Sequence, residues 1–188
     1  MRFIIMYELL VKKTAIFLAQ KSNIEINSEK YDVLWYGIYG FYINFFKTVL
    51  LLLLSLILNV TFYVVVYTIA FTPLRHYSFG HHFKKQITCT ITGLASILGS
   101  VYFSLYIGVP FVFKGILIVF ALGVFYLKSP VETKKRPIRE SSKPMLKRNS
   151  LIFLCVLSVA VFTIPSPYSD IICLAIFFQT LNLIPTQK

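Results

Sequence analysis

A histidine and a cysteine seven residues apart, His82 and Cys89, stand in a short polar window of an otherwise apolar chain. The window runs Arg75-His76-Tyr77-Ser78-Phe79-Gly80-His81-His82-Phe83-Lys84-Lys85-Gln86-Ile87-Thr88-Cys89 and holds all three histidines and one of the three cysteines. A thiol beside an imidazole is a minimal nucleophile and base, the ring taking the sulfur's proton and later returning it to a leaving amine. Polar groups at the edge of hydrocarbon are costly and usually functional. The pair therefore predicts a membrane-embedded thiol enzyme.

Geometry limits how these two residues can act. On one unbroken helix they would share a face, yet a rise of ~1.5 Å per residue separates them by about 10 Å along the axis. Proton transfer needs hydrogen-bond reach, roughly 3 Å. The intervening chain must bend back, or the next helix must begin late. Gly80 supplies backbone freedom just before His82. The expectation is His82 at the end of a turn and Cys89 near the start of the following helix. A helix amino terminus with Lys84 and Lys85 nearby suits an anionic sulfur, while burial in an apolar wall opposes it.

Other roles compete for the same residues. Lys84 and Lys85 can hold a loop at the headgroups, and His76 and His81 can serve as amphipathic interfacial rings. His76, His81, His82 and Cys89 are suitable donors for a metal, which would make a metal-dependent membrane hydrolase. No HExxH pattern occurs, however, and no acid lies between Asp32 and Glu132 to act as base or to orient a ligand. No metal and no cofactor are expected. Serine hydrolysis lacks its GxSxG element, and an intramembrane aspartyl mechanism lacks its two carboxylates. The alternative from another class is a non-enzymatic transporter or assembly subunit with a histidine-lined path.

The elements that must position the window are apolar. Hydrophobic residues make up 57% of the 188-residue chain and mean hydropathy is +0.74, above the roughly 45–50% apolar content of globular domains. The bilayer is the expected solvent, for one polytopic, all-α membrane domain spanning residues 1–188. Net charge is +12, and eight of the nineteen basic residues lie between Lys128 and Arg148. Basic segments alternate with apolar ones, the positive-inside pattern, so membrane lipid rather than nucleic acid is the expected partner. Three scattered cysteines make no disulfide framework, and Cys155 and Cys173, in apolar runs, read as small buried hydrophobes.

Residues 1–30 predict an amphipathic interfacial helix and a polar connector, with Glu8 and Lys12 one turn apart and Phe3, Ile4, Leu10 and Phe17 available to the other side. Four membrane segments are expected within 31–127. Asp32–Leu58 and Val60–Phe71 form two spans hinged near Asn59, in preference to a single Thr48–Phe71 span, because cytoplasmic lysines on one side and Arg75, Lys84 and Lys85 on the other then share a face of the membrane. Ile87–Tyr106 and Val109–Leu127 follow, turning at Gly108 and Pro110, with Lys114 interrupting the second. Gly93, Gly99 and Ser100 permit close helix packing within a chain or between copies, so a homo-oligomer is compatible. Residues 128–149 read as an aperiodic basic cytoplasmic loop with three prolines. Ser150–Ile164 and Ile171–Ile184, separated by Pro165-Ser166-Pro167, complete six short spans. Parity puts both termini and the catalytic window on the cytoplasmic side of the cell membrane.

Arg75-x6-His82-x6-Cys89, with Gly80 two residues before the histidine, resembles the catalytic signature of the accessory gene regulator B peptidases. The loop Ser129-Pro130-Val131-Glu132-Thr133-Lys134-Lys135-Arg136-Pro137 is similar to that family's proline-bracketed basic loop, and Phe178-Gln179-Thr180-Leu181-Asn182-Leu183-Ile184-Pro185 to its final segment. Phe79 departs from the pattern, since members commonly carry a second glycine there, which leaves Gly80 as the only hinge. The resemblance implies a cysteine endopeptidase of bacterial quorum sensing. Such an enzyme cuts a membrane-associated AgrD-type propeptide through an acyl-enzyme thioester, from which an internal cysteine or serine closes a thiolactone or lactone. It further implies Cys89 as nucleophile, His82 as base, and Arg75 and Gly80 as positioning residues. The family's propeptides carry an acidic carboxyl-terminal tail, which Lys134, Lys135 and Arg136, with Arg139, Lys143, Lys147 and Arg148, could hold electrostatically; the same cluster reads equally as a topogenic cytoplasmic loop binding anionic lipid.

Overall fold

The computed structural model describes residues 2–22, 24–26, 28–80, 86–132 and 138–184, and every regular element among them is helical. In chain order these are α1 (Arg2–Lys21), α2 (Glu29–Ile57), α3 (Thr61–Ser78), α4 (Gln86–Tyr106), α5 (Phe111–Lys128), a short 3-10 turn (Glu140–Ser142), α6 (Lys143–Thr163) and α7 (Tyr168–Leu183). They gather into two compact units, Met1–Ile57 and Leu58–Lys188.

In the first unit α1 packs along α2. Val11, Ala15 and Ala19 recur every fourth residue and are fully buried, which sets one stripe of α1 against its neighbour. Thr14 Oγ1 and Tyr42 Oη meet at 3.0 Å beside that stripe. Leu10 and Phe17 stand exposed on α1.

The second unit is built around α7. Its residues Ile171, Ile172, Cys173, Ala175, Ile176 and Leu183 are buried around the whole circumference, and α3, α4, α5 and α6 all pack on it. A helix apolar on every side belongs inside a bundle. With sixteen residues it is also short, since its surroundings, rather than its length, satisfy its apolar surface. Cys173 is buried as expected, whereas Cys155 lies exposed on α6. The outer faces are no less apolar: Phe111, Val112, Val119 and Leu127 on α5 are each at least 70% exposed. Such a surface is costly in water and matches lipid. Four helices, α2, α4, α5 and α6, are long and apolar enough to cross a membrane, so the fold is that of an all-α membrane protein.

Helix boundaries differ from the sequence expectation at two places. The chain does break at Asn59, which adopts φ 55° between α2 and α3, but α3 runs past Phe71 to Ser78 with Pro73 inside it. Residues 143–149, expected as loop, form the first two turns of α6. Pro144 sits in the first turn, where its missing N–H has no intrahelical acceptor to serve. The aperiodic loop is correspondingly shorter than 128–149.

Candidate functional site

The polar window begins where α3 ends. Arg75 lies in the last turn of α3, and the chain leaves the helix through two consecutive residues of positive φ, Phe79 at 56° and Gly80 at 124°. Gly80 is therefore not the only residue in glycine-like geometry: Phe79 occupies it too, although its Cβ makes that conformation unfavourable. Contacts among the described residues hold the turn. The Phe79 amide donates to the Arg75 carbonyl at 3.1 Å, the Arg75 guanidinium donates to the Phe79 carbonyl at 3.3 Å, and Gln179 Nε2 donates to the same carbonyl at 2.8 Å.

Gly80 fits closely against α7. A Cβ placed on it would stand 2.8 Å from the Asn182 carbonyl oxygen and 2.7 Å from Arg75 Nη1. Only glycine combines this backbone geometry with that approach. Arg75 and Gly80, separated in sequence, are thus brought into one cluster with Gln179 and Asn182.

Cys89 is the fourth residue of α4, in its first turn, and half-buried. Unpaired backbone N–H groups gather at that end of a helix and accommodate negative charge. His82, His81, Lys84 and Lys85 lie outside the described residues, as do Lys134, Lys135 and Arg136 of the basic loop. Among the described residues no three His, Cys, Asp or Glu side chains cluster in a way that could hold a metal.

The basic loop joins the window through its backbone. The Val131 amide donates to the Ser78 carbonyl at 3.0 Å, and Val131 pairs with Phe79 in a short parallel bridge. A carboxylate far off in sequence, Glu132, is thereby carried close to the end of α3. It is already engaged: Lys143 Nζ lies at 2.9 Å and the Ile138 amide donates to it at 3.2 Å. The Lys143 hydrogen bond, then that of Ile138, holds the Glu132 carboxyl below the usual carboxylate range. Lys143 also meets Glu140 at 2.6 Å. Further along α6, Ser150 donates to the Lys147 carbonyl, so the 2.8 Å contact between Ser129 and Ser150 has Ser129 as donor. Lys147 lies 4.8 Å from the centre of the Tyr126 ring. Two of the cations expected to face an acidic tail therefore have partners within the chain.

A second polar cluster lies at the opposite ends of the same helices. Lys114 in the first turn of α5 meets Asp170 Oδ1 in the first turn of α7 at 2.5 Å, with side-chain exposures of 10% and 2%. Lys114 also donates to Ser169 Oγ at 2.8 Å, and Ser166 donates to Asp170 Oδ2 at 2.5 Å. Sequence reading missed this pair by treating Lys114 as an interruption. The available signal was a lone cation and a lone acid, each in an otherwise apolar segment.

The chain matches the family model described as Accessory gene regulator B over residues 11–183. Among curated proteins it resembles an accessory gene regulator protein B from Staphylococcus intermedius, 26% identical over 93% of this chain and 92% of that one. A second, from Staphylococcus haemolyticus (strain JCSC1435), is 27% identical over 93% and 92%. A third, from Staphylococcus carnosus (strain TM300), is 26% identical over 74% and 73%. No solved structure matches. With the family model covering nearly its whole length, the chain belongs to the accessory gene regulator B family.

Proposed function

We propose that this protein is a cysteine endopeptidase of the accessory gene regulator quorum-sensing system, cutting an AgrD-type propeptide in the plane of the membrane. The observation that carries the reading is Cys89 in the first turn of α4, nine residues after a turn built from Arg75, Phe79 and Gly80. His82 falls between the two. Family membership supports the role in that system, and a half-buried thiol at a helix start suits a nucleophile.

In this reaction the Cys89 sulfur attacks the scissile carbonyl while His82 takes the thiol proton. The C–N bond breaks, His82 protonates the leaving amine, and the amino-terminal fragment stays on Cys89 as a thioester. An internal cysteine or serine of the propeptide then attacks the thioester carbonyl, closes the ring, and returns a proton to the Cys89 sulfur. Thioester chemistry conserves the acyl group's energy for this exchange, and a site poor in water limits wasteful hydrolysis. Arg75 and Gly80 position the window. Lys134, Lys135 and Arg136 attract the propeptide's acidic tail toward the cytoplasmic face, where both termini also lie.

Co-expression of wild type or Cys89→Ala with a propeptide, followed by mass spectrometry of the products, tests the reading. Loss of both cleaved fragment and ring in the variant is expected. Undiminished cleavage by Cys89→Ala would exclude it.

A further inference from the structure

Gln179 is a polar side chain in a place that packing alone would fill with an apolar one. It lies on the central helix α7 and is fully buried. Its Nε2 donates to Ser78 Oγ at 2.7 Å and to the Phe79 carbonyl at 2.8 Å. The Ser78 hydroxyl gives its own proton to the Leu74 carbonyl, so toward Gln179 it can only accept. A flipped amide would set oxygen against the Phe79 oxygen, so the orientation is fixed. Among the described residues the other end of the amide gains nothing comparable: Oε1 is buried there without a hydrogen-bond partner. Burying an amide half-paired is unfavourable, and leucine or methionine would fill the space at lower cost. What Gln179 achieves is a hold on the turn that ends α3.

That turn needs holding. Phe79 and Gly80 both carry positive φ, and for phenylalanine such a conformation persists only where its surroundings impose it. Arg75 reaches the same carbonyl from the end of a long side chain that is itself half-exposed. Gln179 reaches it from the most enclosed helix of the unit. The chain leaves Gly80 toward His82 and enters α4 at Gln86, so the direction fixed at Phe79 sets where the reactive window begins.

We infer that Gln179 is a positioning residue for the chemistry at Cys89, acting through the Ser78–Gly80 turn without touching the substrate. Its functional consequence rests on the peptidase reading above, while its hold on the turn can be measured independently.

The test uses full-length protein in lipid vesicles and Gln179→Met, which keeps the length and volume of the side chain but neither N–H. The maximal rate of propeptide cleavage should fall on the order of tenfold or more, while the half-saturating propeptide concentration stays within about twofold. Labelling of Cys89 by a water-soluble maleimide should rise by about threefold or more as the turn loosens. Cys173, fully buried on the same helix, should stay protected. Ser78→Ala added to Gln179→Met should cost little more, because both remove one contact. A maximal rate within about threefold of wild type would overturn the inference. So would a fall accompanied by labelling of Cys173, which would make Gln179 a packing residue. Should Cys89→Ala cleave normally, the peptidase reading fails by itself; Cys89 labelling in Gln179→Met then decides the positioning claim, and an unchanged labelling rate would overturn it.

Discussion

Gly80 approaches Asn182 so closely that a Cβ on the glycine would stand 2.8 Å from the Asn182 carbonyl oxygen. The neighbouring Arg75 guanidinium, at 2.7 Å from the same point, ends a flexible side chain and can move aside. The carbonyl belongs to helix backbone and cannot. Gly80→Ala should therefore cost about 1–3 kcal/mol from the φ of 124° alone. The displaced turn should lower propeptide cleavage by up to about a hundredfold, the scale of a small misplacement of reacting groups. Thermal unfolding and a cleavage assay check both; an alanine variant as stable and active as wild type would show that the close approach is dispensable.

Breaking the Lys114–Asp170 pair from one side leaves a charge stranded among apolar helices. Asp170→Asn or Lys114→Met alone should destabilise by about 3–5 kcal/mol, and Lys114→Met combined with Asp170→Leu should recover much of it. The buried setting, with side-chain exposures of 10% and 2%, is what separates this pair from a surface bridge. Unfolding of purified protein in detergent, followed by circular dichroism, measures the difference. Single variants within about 1 kcal/mol of wild type would mean that water reaches the pair.

The Glu132–Lys143 clasp predicts a pH window for the basic loop. Glu132 is lowered relative to its unfolded value, so its contribution is complete above the ordinary carboxylate range and is lost as pH falls through the lowered value. At neutral pH both partners of the clasp are charged. Hydrogen exchange at the Ile138 amide, which donates to Glu132 at 3.2 Å, should show constant protection around neutrality and a loss only as pH falls through the lowered Glu132 value. Glu132→Gln should flatten that profile, and high salt should weaken protection because the groups are exposed. Protection that persists unchanged into strong acid would contradict the clasp.

Much of the site's scaffold was legible in the sequence, and particular residues show why the rest was not. The start of α4 just ahead of Cys89 follows from a basic, polar run giving way to an apolar stretch with small residues. The break at Asn59 is a residue suited to positive φ between two apolar runs. By contrast, α6 begins two turns earlier than expected because Pro144 and the lysines around it read as loop, although proline also marks a helix start. Phe79 hides its conformation, since nothing in a phenylalanine announces φ 56°; beside the local Arg75 contacts, part of the hold on it comes from Gln179, a hundred residues away. Lys114 and Asp170 are also far apart in sequence, and pairing across a bundle leaves no local pattern.

The reading of Cys89 as an acyl carrier has one direct test. Incubating the protein in vesicles with a propeptide whose internal ring-closing residue is alanine should stall the reaction after the first step. Intact-mass and peptide-mapping spectrometry should then find the amino-terminal fragment joined to Cys89 by a bond that hydroxylamine releases. Cleavage of that propeptide without any adduct on Cys89, together with full activity in Cys89→Ala, would contradict it.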